Sequence, residues 1–227
     1  MLKEMAYPGS FDHEYFNSLT SAKKRMDYCR QRLEFIGVGS SRAVYKVDEN
    51  IALKVAKTTL TRGGRPGKGV AQNMVEAEPW MDNYDIFAKV ISHHPKYYWI
   101  EMELAKKAKR SDFDRILGIR HAFDEVVVPY LELVRERYDG TARRFGSAVS
   151  KEQKQMIETM EERDDFYDSP LWDLQLYLCD TQETFINDYK RLSSWGVVQR
   201  DGEERLVIID YGANRQIIDT YYSGRKV

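Results

Sequence analysis

Two charged residues and one glycine-bearing turn carry the chemical content of this sequence. Lys54 ends the apolar run Ile51-Ala52-Leu53, so a side chain facing inward would need a carboxylate or a phosphate to offset its desolvation. Glu76 and Glu78, in the helix expected downstream, are candidate partners, and an edge-strand lysine facing water is the alternative. Asp210 follows Leu206-Val207-Ile208-Ile209 and precedes Tyr211-Gly212. A β-branched run reads as a buried strand, and a carboxylate at its mouth can hold Mg²⁺ against polyphosphate. The third feature is Gly37-Val38-Gly39-Ser40-Ser41-Arg42-Ala43-Val44. It lies between two expected strands, which excludes a dinucleotide fingerprint. Its glycines would let backbone N–H groups approach phosphate, and the same residues also serve a plain hairpin turn.

These residues need elements to hold them. A helix is expected from Ser21 to Arg32, where Ala22, Met26, Cys29 and Leu33 recur at helical spacing. The texture then turns to β: Leu33 to Ile36, Ala43 to Val47, and Ile51 to Ala56 after the turn Asp48-Glu49-Asn50. A basic glycine-rich loop, Thr61 to Gly69, leads to a helix from Val70 to Trp80. Two more strands, Ile86 to Ile91 and Tyr97 to Leu104, flank a turn at Ser92-His93-His94-Pro95. Beyond Ala105 helical periodicity dominates, at Phe113 to Ala122, Phe123 to Tyr138, 150 to 163 and 171 to 192. A hairpin follows, with arms Trp195 to Val198 and Leu206 to Ile209. The fold class is α+β: a helical extension over 1–32, a five-stranded antiparallel unit with one helix over 33–104, and a mainly helical unit over 105–227.

Several functions are set aside on the residues. Gly63-Gly64-Arg65-Pro66-Gly67-Lys68-Gly69 fails as a Walker phosphate loop, because Arg62 stands where its first glycine should be and Gly69 where Ser or Thr should bind Mg²⁺. As a flexible basic loop it could bring Arg62, Arg65 or Lys68 to phosphates. His93 and His94 are adjacent with no completing metal set, and Lys151 to Asp165 reads as a solvated helix face. A formal net charge of -1 gives no global case for nucleic acid or an anionic membrane. Cys29 and Cys179 lack metal or redox spacing, no apolar run is long enough to span a bilayer, and Met1-Leu2-Lys3-Glu4 does not begin a secretion signal. The expected compartment is the cytoplasm.

The order of these parts resembles the protein-kinase fold. The match lies in Gly37 and Gly39, Val44, Lys54 within Ile-Ala-Leu-Lys, Glu76, and Asp210 within Asp-Tyr-Gly, and it spans about residues 33 to 217. The resemblance implies two lobes with ATP and Mg²⁺ between them. Gly37, Gly39, Ser40, Ser41 and Val44 would cover the nucleotide, and Lys54 would bridge its phosphates to Glu76. Adenine would meet the backbone from Glu103 to Ala105, and Asp210 would bind Mg²⁺. Arg42 replaces the third glycine, implying a less free loop.

Two departures shape the functional expectation. Where the family carries His-Arg-Asp-x-x-x-x-Asn, this chain reads Ile186-Asn187-Asp188-Tyr189-Lys190-Arg191-Leu192-Ser193. Asp188 would be the base and Ser193 a weak second metal ligand; a shifted register would use Ser194 and put Tyr189 over the base. The segment after Gly212 has no room for the family's activation segment or peptide platform, which implies a reduced carboxy lobe. Three readings result. The first is a pseudokinase-like domain that binds ATP and Mg²⁺ and regulates a protein partner. The second is an active Ser/Thr-type phosphotransferase. The third is a nucleotide-free scaffold in which Lys54, Glu76 and Asp210 form a structural ion-pair cluster. The compact form is similar to small bacteriophage kinase-like proteins, which implies a bacterial host protein as partner and the host cytoplasm as location.

Overall fold

The computed structural model describes residues 7–139, 148–181 and 186–222. It is an α+β structure whose chain divides into two compact units. Of the described residues, 7–82, 89–104 and 216–222 form the first unit; 83–88 and those within 105–215 form the second.

The first unit begins with α1 (His13–Ser18) and α2 (Ala22–Arg32). Asp12 and Ser21 cap them by accepting N–H groups of Tyr15 and Lys24 at 2.8 and 3.2 Å. Then come β1 (Glu34–Val38), β2 (Arg42–Lys46), β3 (Ile51–Ala56), α3 (Lys68–Glu76), β4 (Val90–His93) and β5 (Trp99–Glu103). The strands make one antiparallel sheet in the order β1-β2-β3-β5-β4. All six residues of the central β3 are buried, as a continuous apolar run covered on both faces should be. On one face Ala43, Tyr45, Leu53, Val55 and Trp99 pack with Phe16, Cys29 and Leu33 from the N-terminal helices. Burial pushes the Cys29 thiol up to about 12, so it is an inert core group. The same face holds the buried Glu101, which accepts hydrogen bonds from the Tyr7 and Ser92 hydroxyls and lies 3.4 Å from His13 Nε2. Burial opposes ionisation of Glu101, yet these partners together hold its carboxyl below the usual range.

The second unit contains β6 (Lys106–Lys107), α4 (Arg110–Leu117), a π-helical turn (Phe123–Val127) that runs into α5 (Val128–Asp139), and α6 (Lys151–Glu161). After them come α7 (Pro170–Asp180), α8 (Ile186–Tyr189), β7 (Trp195–Arg200) and β8 (Glu203–Ile208). Its sheet has the order β6-β7-β8. Phe113 packs edge-on against Phe123 and Trp195, with ring centroids 4.8 and 5.3 Å away. The last helix, α9 (Arg215–Tyr221), carries the chain back into the first unit.

The structure redraws some expected boundaries. Residues 86–88 do not start a strand of the first sheet: Phe87 bridges Ile208 in parallel within the second unit, and β4 begins at Val90. The helix expected from Phe113 to Ala122 is α4, ended by Gly118 in the left-handed conformation at φ 67°. The helix expected from Val70 to Trp80 stops at Glu76 and is followed by a 3₁₀ turn, Pro79–Asn83. Of the helical stretch 171–192, α7 and α8 supply the ends, and 182–185 lie outside the described residues.

Candidate functional site

The most constrained polar cluster is in the first unit. Antiparallel register sets Lys54 opposite Val44, so alternation puts Arg42, Val44 and Lys54 on the face that α3 covers. Helix α3 turns a polar edge of Gln72, Asn73 and Glu76 to that face, all buried. Arg42 grips both Glu76 oxygens, Nη2 to Oε1 at 2.8 Å and Nη1 to Oε2 at 2.7 Å, while Lys54 Nζ donates to Oε2 at 2.9 Å. Asn73 Oδ1 accepts from Arg42 at 3.2 Å, and its Nδ2 donates to the Tyr97 carbonyl at 2.9 Å. The helix reaches this position because residue 69 is glycine: a Cβ there would lie 2.4 Å from the Ser41 carbonyl oxygen. Glu76 is 1 % exposed, Arg42 and Lys54 5 % each. Burial alone would raise the Glu76 carboxyl; the charges of Arg42 and then Lys54 overcome it and hold it at about 2.

Arg42 is therefore not a loop residue standing in for a glycine but a buried member of β2. Local sequence hides this, since its partner is 34 positions away. The signal that could have found it is the two-residue spacing from Val44, which puts Arg42 on the Lys54 face once the strands are in register.

The turn between β1 and β2 is closed by the Gly39 N–H donating to the Arg42 carbonyl at 2.9 Å. Lys57 donates to the Gly39 carbonyl, Lys68 Nζ to Ser40 Oγ at 2.9 Å, and Ser41 Oγ to Gln72 Oε1. A Cβ on Gly37 would meet nothing within 4 Å, and one on Gly39 only the Arg42 carbonyl at 4.0 Å. Neither glycine has a positive φ. Packing and backbone geometry thus leave glycine unrequired at both positions, and the space beside them is open. The basic loop is a built turn: the Thr61 and Gly64 N–H groups donate to the Arg65 and Thr61 carbonyls at 2.8 and 3.0 Å. Arg62 and Arg65 are exposed on it, while Lys68 begins α3 with its ammonium 3.7 Å from the Tyr222 ring centroid. The N–H groups of Glu103 and Leu104 already donate to the Lys89 and Asn50 carbonyls, at 2.9 and 2.6 Å.

Asp188, Ser193, Asp210 and Ala105 belong to the second unit, whereas Lys54, Glu76, Val44, the turn residues and Glu103 belong to the first. Asp188 Oδ1 is 3.1 Å from Nη1 of Arg191, three residues on and just past the end of α8. Ser193 is exposed; Ser194 is buried, and its Oγ donates to the Asp188 carbonyl at 2.7 Å. Tyr189 is buried, with its carbonyl accepting from Trp195 Nε1 at 2.7 Å. Asp210 is exposed just past β8, between Ile209, whose N–H donates to the Ser194 carbonyl at 2.8 Å, and Tyr211, whose hydroxyl donates to the Ala88 carbonyl at 2.7 Å. Among the described residues no group of three or more His, Cys, Asp or Glu is placed to hold a metal ion. A Mg²⁺ delivered on phosphate oxygens requires only one or two carboxylates, and an exposed carboxylate anchored on both sides by its neighbours meets that requirement.

No helix of the described residues is long and apolar enough to cross a membrane. Among known proteins, no family model and no curated sequence matches this chain.

Proposed function

We propose that this chain is a degenerate protein-kinase-like domain of two lobes that binds ATP with Mg²⁺ and regulates a protein partner through its conformation. The observation that carries the reading is the buried contact of Lys54 with Glu76 at 2.9 Å, a strand lysine held by a helix carboxylate beside a hairpin whose glycines border open space. In this reading Gly37, Gly39, Ser40, Ser41 and Val44 cover the nucleotide and Lys54 orients its phosphates; the kinase resemblance would assign Mg²⁺ to Asp210 and adenine to the stretch from Glu103 to Ala105, where the Glu103 and Leu104 N–H groups are already engaged by the Lys89 and Asn50 carbonyls. Regulation is favoured over transfer because Asp188, the residue in the base position, is tied to Arg191, and Ser193 is a poor substitute for a metal-binding asparagine. The partner is a protein, bacterial if the chain is phage-encoded, met in the cytoplasm.

A thermal-shift titration with Mg·ATP tests this. With free nucleotide about a hundredfold above its dissociation constant, linkage gives about 2.7 kcal/mol, a rise of roughly 5 to 10 °C for a chain of this size. Lys54→Met and Asp210→Asn should abolish the rise. A flat response in the wild-type protein would reject nucleotide binding and leave the scaffold reading. Transfer of γ-phosphate that is lost in Asp188→Ala would establish an active Ser/Thr-type phosphotransferase instead.

A further inference from the structure

An aromatic surface in the second unit has no role in the reading above. The 3₁₀ turn Asp164–Asp168 buries Phe166 and leaves Tyr167 62 % exposed. Tyr167 packs edge-on against Trp172, centroids 4.9 Å apart and planes at 77°. Trp172 is half-buried on α7, and Leu176, one turn further along the same helix face, is 40 % exposed. A soluble surface rarely spends an aromatic pair and a leucine side by side without a contact to make.

The charges around the pair state what that contact would be. Arg163 is matched by Asp165 at 2.7 Å, and Glu161 by Arg137 at 3.2 Å. Glu162, Asp164 and Asp168 are exposed and have no partner among the described residues. Side chains three apart in a 3₁₀ turn eclipse, so Asp164 stands beside Tyr167, and Asp168 follows it directly. The surface therefore presents aromatic faces rimmed by carboxylates that no described residue neutralises. A guanidinium satisfies both at once, stacking its plane on a ring while forking onto a carboxylate; an ammonium offers only a point charge.

We propose that Tyr167, Trp172 and Leu176, with Asp164 and Asp168, form a docking surface for an arginine-bearing basic segment of a partner protein. This surface acts independently of nucleotide, so its test is separate from that of ATP binding.

The probe is a fluorescently labelled peptide of alternating arginine and serine, titrated with the whole protein at low and high salt. Saturable binding is expected, weakened by salt, weaker for a lysine–serine peptide, and absent for a glutamate–serine peptide. Tyr167→Ser and the Asp164→Asn/Asp168→Asn double variant should each weaken binding by about tenfold or more. Tyr15→Ser, which removes a comparably exposed tyrosine from the other unit, should leave it unchanged. Both sites are exposed, so the variants should melt with the wild type. Equal affinity for the arginine and glutamate peptides, or an unchanged affinity in Tyr167→Ser, overturns the proposal. Sedimentation showing self-association that Tyr167→Ser abolishes would assign the surface to a second copy of the chain and overturn it equally.

Discussion

Replacing Glu76 by glutamine keeps the shape of the side chain and removes a negative charge that both Arg42 and Lys54 contact. Glu76 is 1 % exposed, and its partners are 5 % exposed, so solvent cannot take over its role. Removing one member of a buried ion pair costs about 3 to 5 kcal/mol, because the remaining charge stays buried with that part of its compensation gone. The carboxyl's own titration gives a similar figure: held at about 2 against an ordinary 4.5, it is shifted by some 2.5 units, or about 3 to 4 kcal/mol at ~1.4 kcal/mol per unit. The sign follows from the depressed value. Stability is fully present above pH 4.5 and is lost as pH falls toward 2, where the native carboxylate takes up its proton. Urea unfolding between pH 7 and pH 3 measures this. Glu76→Gln should be about 3 kcal/mol less stable at pH 7, and should lack the part of the acid-side decline that Glu76 supplies in the wild type. A loss below about 1 kcal/mol at pH 7, or identical pH profiles for the two proteins, would refute the reasoning.

The two cations should behave unequally. Lys54→Met leaves the forked Arg42–Glu76 pair intact and should cost under about 1 kcal/mol by urea unfolding, whereas Arg42→Met strips Asn73 and one Glu76 oxygen of a donor and should cost about 2 kcal/mol or more. Burial, and then the charges of Arg25 and Lys96, lower His94 to about 4, and its Nδ1 accepts the Lys96 N–H at 2.9 Å, which only the neutral ring can do. A lowered histidine contributes stability that is full above pH 6.5 and lost as pH falls to about 4. Discounted for partial exposure this is about 1 to 2 kcal/mol, and His94→Gln should flatten that stretch of the stability profile. Arg25 is 2 % exposed, with Nε and Nη1 lacking hydrogen-bond partners and its guanidinium 4.4 Å from the Tyr98 ring centroid. Arg25→Met should leave stability within about 1 kcal/mol of wild type or raise it; a loss above about 2 kcal/mol would mean that the ring contact outweighs the buried donors.

The sequence speaks clearly where a pattern is local. The spacing of Ala22, Met26 and Cys29 marks α2, and the apolar run around Lys54 marks a strand covered on both faces. The strands β2, β3 and β5 follow from such runs, whereas β4 runs through Ser92 and His93, whose polar side chains read as a turn. Lys106–Lys107 could not be read as a strand, because two exposed lysines carry no hydrophobic signal and pair only through their backbones with Gly196 and Val197. Arg42 was misread for a related reason: its meaning depends on a helix that arrives later in the chain. At Asp188 the residue type was legible, while its engagement by Arg191 depends on rotamers that spacing alone does not determine.

The N-terminal helices have a consequence for the order of synthesis. Asn17 Oδ1 accepts the Trp99 indole N–H across 82 positions, and Tyr7 reaches Glu101 across 94. At about 5 to 20 residues per second, a ribosome that has made α1 needs roughly 4 to 16 s more before the strand that α1 seals is translated. The first unit closes later still, since Tyr221 donates to the Pro66 carbonyl across 155 positions. Until Trp99 is made, Phe16 has only nearby rings such as Phe11 and Tyr28 to pack on, so changes in α1 act on a chain that stays partly assembled for seconds during synthesis as well as on the finished protein.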